Sequence, residues 1–294
     1  MQGVVLGDNP PLDRRRDPIP VRQLRYPVQS IQFGADSSMR PISLLPELKP
    51  FVEMSFEDKY IITQVIIERN LREMGKDCAV AFSGGKDSQV VVWLVTRHYP
   101  DIPVVFNNTG VEYPETVQFV HELARIWNLN LIETKPDITF WECVDRWGFP
   151  VGKRPKNGQP SSRRCCYHLK DKPMSFILKC IQAKGYFTGV TAVENRTRMF
   201  NARDKGTCYQ VKGMHKVHPI LYWTPDEVWG YLKENRIDAN PVYFKGADRV
   251  GCSTCTAFVD WEKQLSTVNP KLYVLVKRRY DRIRDAVESG QKIS

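Results

Sequence analysis

Cys78-Ala79-Val80-Ala81-Phe82-Ser83-Gly84-Gly85-Lys86-Asp87-Ser88 is the stretch that decides the fold. Residues 78–82 form an unbroken apolar run of strand length, which reads as a buried strand. Two glycines interrupt the pattern, and apolar spacing resumes from Val90 to Val95 as a helix. Strand, glycine turn and helix in that order put a helix N-terminus, with its free N–H groups and positive dipole end, at the carboxyl end of the strand. Open α/β sheets bind ligands there, and the geometry suits an anion. Gly84 and Gly85 let the backbone approach a phosphate. Ser83 and Ser88 add hydroxyl donors, Lys86 adds a point charge, and Asp87 adds a carboxylate beside them. The GxxxxGK[ST] spacing of a Walker A loop is absent.

Outward from this turn the elements alternate. Ser55-Phe56-Glu57-Asp58 reads as an N-cap with first-turn acids, opening a helix that runs to Met74 and stops at Gly75. Val104 to Phe106 is a second strand, and Pro114-Glu115-Thr116 opens a helix reaching about Trp127. Leu129 to Ile132 is a third strand. A helix around Met174–Gln182 precedes a fourth strand, Tyr186 to Val190. Pro219-Ile220-Leu221 reads as a short strand, and Thr224-Pro225-Asp226-Glu227 as a capping box that starts a helix to about Asn235. The βαβα order predicts an α/β fold: a mostly parallel twisted sheet with helices on both faces, Rossmann-like. Eight of the 20 prolines fall in residues 1–50, with Arg14-Arg15-Arg16, which predicts an N-terminal arm or cap rather than a helix. Residues 51–262 are read as the nucleotide-binding domain and 263–294 as a helical tail.

Lys and Arg total 43 against 33 Asp and Glu, a net charge of +10, which favours a polyanionic partner such as nucleotide phosphates, DNA or RNA. Apolar runs are short and broken by charge, so no membrane span is expected. Met1–Gly7 lacks the basic lead of a secretion signal, and the expectation is a cytoplasmic protein.

The chain holds eight cysteines, and four of them form two tight clusters: Cys165-Cys166 and the C-x-x-C of Cys252 and Cys255. Four thiolates can close a tetrahedral zinc site or hold a [4Fe–4S] cube. An adjacent pair suits a zinc knuckle poorly, because neighbouring side chains diverge, whereas a cube offers them different irons. The expectation is an iron–sulfur-binding C-terminal part. Arg163, Arg164, Lys170 and Lys172 would raise the potential around it. Cys208, after the loop-like stretch Asn201–Gly206, is the best candidate for a further reactive thiol, on the ground that nearby cations lower a thiol pKa. Cys78 is read as packing, and Trp223, Trp229 and Tyr231 as core.

The string Ser83–Ser88 resembles the PP-loop of the adenine-nucleotide α-hydrolase superfamily, which includes ATP pyrophosphatases and the adenylyl- and phosphoadenylyl-sulfate (PAPS) reductases. Asn107–Thr116 is similar to that family's D-T-G-x-x-[FY]-P-E-T segment, with Asn108 in place of the usual Asp. The CC and CxxC pairs look like those of cluster-containing adenylyl-sulfate reductases. Gly189–Arg198, His218–Leu232 and Asn240–Tyr243 resemble further family segments, so the likeness covers about residues 55–262. It implies that Thr109 and Gly110 line the nucleotide and that ATP or adenylyl sulfate binds, ATP with magnesium, for which Asp87 is the nearest candidate; Arg196 and Arg198 would grip the nucleotide's anionic end. The reductases carry a nucleophilic cysteine in an E-C-G-[IL]-H tail, and no cysteine follows Cys255 here. The SGGKDS form is typical of ATP-cleaving members.

Together these features resemble the ATP pyrophosphatase component of DNA phosphorothioation systems. The preferred expectation is thus adenylation of an acceptor for sulfur transfer, with nucleic acid as acceptor. It brings with it a sulfur donor such as a cysteine desulfurase, and a multi-protein system or homo-oligomer. The alternatives are a sulfate reductase using a different thiol, and a non-catalytic iron–sulfur or zinc subunit.

Overall fold

Local chemistry sets the boundaries of the elements. The computed structural model describes residues 43–150, 164–258 and 260–289. Arg14-Arg15-Arg16, most of the Pro-rich arm, Arg163 and residues 290–294 lie outside them. A short turn, Pro46–Leu48, leads into α1 (Lys49–Val52) and α2 (Phe56–Met74). Ser55 Oγ accepts the Asp58 N–H at 3.1 Å to cap α2, and Gly75 ends it. Then follow β1 (Cys78–Phe82), α3 (Lys86–His98), β2 (Pro103–Asn107), α4 (Pro114–Ile126), β3 (Asn130–Thr134) and α5 (Phe140–Trp147). α6 (Arg164–Cys166) continues through a π-helical stretch, Tyr167–Asp171, into α7 (Lys172–Cys180). After it come β4 (Gly185–Phe187), α8 (Arg196–Lys205), β5 (Cys208–Val211) and β6 (Met214–Val217). The chain ends in α9 (Pro225–Glu234), α10 (Pro241–Phe244), α11 (Trp261–Val268) and α12 (Pro270–Glu288).

The six strands lie in the order β3-β2-β1-β4-β6-β5, parallel except for β5, which runs antiparallel to β6. Alternate side chains sort to the two faces. Cys78, Val80, Phe82, Val104, Phe106 and Phe187 pack with α2, α3, α4 and α9. Ala79, Ala81, Val105 and Tyr186 face α7, through Met174 and Leu178. The sequence reading of helices on both faces holds. Register places the functional edge: Phe82 pairs with Phe106, Val80 with Phe187, and Phe187 with Val217. The chain therefore leaves β1, β2, β4 and β6 on one edge, at Ser83, Asn108, Thr188 and His218. Among the described residues no helix is long and apolar enough to cross a membrane.

Four local expectations are corrected. Pro219–Leu221 is a turn, not a strand: Leu221 N–H returns to the His218 carbonyl and Trp223 N–H to the Ile220 carbonyl. The fourth strand stops at Phe187, short of Val190, where the chain turns across the start of α3. Asn201–Lys205 is helical, not a loop. Asn195 caps α8 by accepting the Arg198 N–H at 3.0 Å, Met199 and Ala202 are buried, and Gly206 ends it. Residues 208–217, not read as strands, form the β5–β6 hairpin, closed by Lys212 at φ 52° and Gly213 at φ 78° as a two-residue hairpin turn demands.

Candidate active site

The phosphate cradle is fastened by residues distant in sequence. Gly84 sits at φ 75°, and a Cβ there would lie 2.8 Å from Thr116 Cγ2, so the position requires glycine twice over. Buried Asn240 donates through Nδ2 to the Gly84 carbonyl at 2.9 Å and to Thr116 Oγ1 at 3.1 Å. The Lys86 N–H donates to the Tyr243 hydroxyl at 3.2 Å. Ser88 Oγ donates to the Gly85 carbonyl at 2.8 Å while accepting the Ser83 N–H at 3.2 Å, and the two hydroxyls lie 3.0 Å apart. The two serine hydroxyls thus bond each other and the loop's own backbone. Lys86 Nζ pairs with the Asp87 carboxylate at 2.8 and 3.0 Å.

Of the two arginines singled out, Arg198 reaches the cradle electrostatically. Burial lowers its pKa and Asp87 works against that shift, while Glu194 pairs with its guanidinium. Arg196 is exposed on the first turn of α8. Cys208 lies on the edge strand and donates to Asn70 Oδ1 at 3.2 Å. Its thiol is pushed up, by burial first and Glu73 second, with Arg69 opposing. The expected lowering by cations is reversed, because the neighbours that decide it come from α2 and not from α8.

Thr188 and His218, which the sequence reading did not single out as site residues, share a hydrogen bond at 2.6 Å on the same edge. Burial, then Lys216 and Arg198, push the imidazole down to about 4, so it is neutral near pH 7. Because the folded pKa lies below the unfolded value of about 6.5, the unfolded chain takes up the proton first. Stability should fall as pH drops from about 6.5 to about 4 and level off below, by up to roughly 3 kcal/mol. Urea midpoints across that range check this, and His218→Asn should flatten the slope.

The cysteine pairs meet beside the cradle. The Cys165 thiol is pushed strongly up, first by its hydrogen bond with Cys166, then by burial and by the charges of Cys166, Cys252 and Cys255. Cys165 therefore feels the sulfurs of both pairs across 85 intervening residues of chain, the span between Cys166 and Cys252. Cys252 Sγ lies 3.7 Å from Thr109 Oγ1 and 3.8 Å from Glu112 Oε1, and Lys170 opposes the upward push of burial on it. The Ser253 N–H and hydroxyl both donate to the Val111 carbonyl, at 2.8 and 2.9 Å, which binds the C-x-x-C to the loop after β2. Gly110 lies in that loop, its N–H donating to Asn108 Oδ1 at 3.1 Å.

Two pairs of thiols are the donor type that a zinc ion or an iron–sulfur cluster takes. Thiols that raise one another's proton affinity lose their protons readily only to a compensating cation. Around one zinc, sulfurs at about 2.3 Å crowd within roughly 4 Å of each other. Among the described residues no three Cys, His, Asp or Glu side chains enclose a single-ion site. The buried Thr254 hydroxyl, inside the C-x-x-C, has no hydrogen-bond partner among the described residues and is placed to donate to a bound group. One segment joins the two centres. A Cβ on Gly85 would lie 3.4 Å from the Tyr243 hydroxyl and 3.8 Å from Val250, two residues before Cys252.

A glycine-rich βα turn of sequence SGGKDS at the carboxyl edge of a parallel sheet defines a PP-loop nucleotide-binding protein. Residues 77–258 match the phosphoadenosine phosphosulfate reductase domain, and the chain belongs to that family. It is 29% identical to a phosphoadenosine 5'-phosphosulfate reductase of Proteus mirabilis, over 76% of this chain and 87% of that one. It is also 29% identical to an uncharacterized protein of Methanocaldococcus jannaschii, over 71% of this chain, and the matched part spans only 50% of that relative. The fold is similar to that of phosphoadenylyl-sulfate reductase from Candida auris, with a TM-score of 0.50 at 18% identity, covering 72% of this chain and 98% of that one.

Proposed function

We propose that the chain is an iron–sulfur ATP pyrophosphatase of the PAPS reductase family that adenylates an acceptor for sulfur transfer. An acceptor oxygen attacks the α-phosphate of ATP and pyrophosphate leaves; the outer sulfur of a persulfide, from a donor such as a cysteine desulfurase, then attacks the activated acceptor centre, AMP leaves, and a thiol reductant cleaves the S–S bond so that one sulfur stays on the acceptor. The observation that carries this reading is the segment from Tyr243 to Cys252, which abuts the PP-loop at one end and bears the Cys252 thiol at the other. The loop keeps both Lys86 and Asp87. Backbone N–H groups of the first α3 turn would take the phosphates, Lys86 would offset the charge on the departing pyrophosphate, and Asp87 would hold magnesium. Arg198, beside Asp87, would meet the same anion; Thr109 and Gly110 would line the nucleotide. Cys165, Cys166, Cys252 and Cys255 would hold a [4Fe–4S] cluster, which when bound supplies a compact redox and electrostatic centre beside the nucleotide. The net charge of +10 fits a nucleic-acid acceptor, DNA or RNA.

A second reading, adenylyl-sulfate or phosphoadenylyl-sulfate reduction, draws on relatives bearing those names over 82% and 87% of their length. One anaerobic preparation separates the two. Iron and sulfide should co-purify, ATP should yield pyrophosphate, and adenylyl sulfate with a thiol should yield no sulfite. Lys86→Ala should slow pyrophosphate release by about 10²–10³-fold. Sulfite without pyrophosphate would overturn the first reading in favour of the second.

A further inference from the structure

The surface beside the cysteine pair carries a stack of π groups. Trp147 and His168 lie ring on ring, centroids 4.6 Å apart and 11° from parallel. Arg164 sits over Trp147 at 5.7 Å, and Tyr167 meets His168 edge-on at 5.0 Å. Tyr167 is 54% exposed, while its neighbour Leu169 turns inward and is buried. Tyr167 opens the π-helical stretch Tyr167–Asp171, and such irregular turns are frequent at functional sites. Directly next to Tyr167 in the chain is Cys166.

The neighbouring helix α12 carries exposed cations. Ile283 of α12 packs in one cluster with Cys165, Leu169 and Trp147, so α12 borders the stack. Arg278 and Arg282 of α12 are exposed, and neither has an acidic partner among the described residues. The acids nearby are taken up by others: Asp281 by Lys277 and Arg284, Asp285 by Arg284. One exposed ring with unpaired cations on a bordering helix suits a single polynucleotide strand, a base on the ring and phosphates on the guanidinium groups.

We infer that this face binds an unpaired nucleobase of a polynucleotide on Tyr167, with the flanking phosphates on Arg278 and Arg282. The inference deepens the proposed function, since it assigns the nucleic-acid acceptor a place at the cluster's edge. It differs from a general basic surface in requiring a ring at one position.

The test is binding of a fluorescent 12-nucleotide oligothymidylate and its uridylate counterpart to the full-length protein, held anaerobically, over a range of salt. Tyr167→Ala should weaken binding roughly 5- to 100-fold, and Tyr167→Phe should restore it. The double variant Arg278→Glu, Arg282→Glu should make the log K against log salt slope shallower by about 1.4. Equal binding by wild type and Tyr167→Ala would overturn the inference. So would equal competition by heparin or polyglutamate, which would mark a generic polyanion surface. Pyrophosphate release is read on the same samples. Tyr167-dependent binding without pyrophosphate would sink the proposed function and leave this site standing; pyrophosphate without such binding would do the reverse.

Discussion

Gly189→Ala is expected to abolish nucleotide binding and to lower the melting temperature by roughly 6–12 °C, from a loss of about 3 kcal/mol. A Cβ at this position would stand 2.4 Å from Ser88 N, 2.5 Å from Asp87 C and 2.6 Å from Asp87 O. All three are backbone atoms of the first α3 turn, so no side chain can swing away to make room. Either β4 retreats from the sheet or the start of α3 lifts off, and the second response scatters the N–H groups that would hold phosphate. Gly230→Ala is the control: within α9, nothing lies within 4 Å of its added Cβ, and alanine there should stabilise by about 1 kcal/mol. Differential scanning calorimetry, with and without ATP, measures both. A Gly189→Ala protein that melts like wild type and still gains stability from ATP would show that the close approach does not define the loop.

That steric coupling explains which parts of the site were legible in the sequence. The βα turn was, because Ser83–Ser88 are contiguous and the apolar runs on either side carry different periods. The caps were too: Ser55, the Thr224–Glu227 box and Gly75 act within a few residues of themselves. Asn240 and Tyr243 were not legible as loop fasteners. They sit far along the chain, and an Asn-Pro start signals a helix but not what else the Asn holds. β5 and β6 escaped because an edge hairpin such as Tyr209-Gln210-Val211 leaves both faces half wet and so lacks a clean alternation. α8 escaped because its residues are mostly polar. Only Met199 and Ala202 turn inward, and it is tertiary contact with Leu48 and Leu221 that holds it. The fate of Cys208 followed from the same blindness, since α2 faces it only in the fold.

The last expected result concerns a charge pair that holds the start of α2 to α9. Lys59 is buried to 2% side-chain exposure, and its Nζ donates to both Glu227 oxygens at 2.7 and 2.9 Å and to the Val52 carbonyl at 2.5 Å. Glu227 also accepts the Thr224 N–H at 2.7 Å, so one carboxylate serves as helix cap and as counterion. Glu227→Ala removes both and leaves an ammonium buried without its partner, a loss of about 3–5 kcal/mol. The desolvation cost of the pair itself works the other way. The double variant Lys59→Met, Glu227→Leu should therefore lie much closer to wild type than Glu227→Ala, short only by the lost cap of about 1 kcal/mol. High salt should leave the difference largely intact, because a buried pair is weakly screened. Urea unfolding of wild type, Lys59→Met, Glu227→Leu and the double variant gives the coupling directly. If Glu227→Ala cost under about 1 kcal/mol, Lys59 would be finding water, and the clamp on α9 would belong to Trp223 and Thr63, whose indole N–H to hydroxyl bond of 3.0 Å spans the same junction.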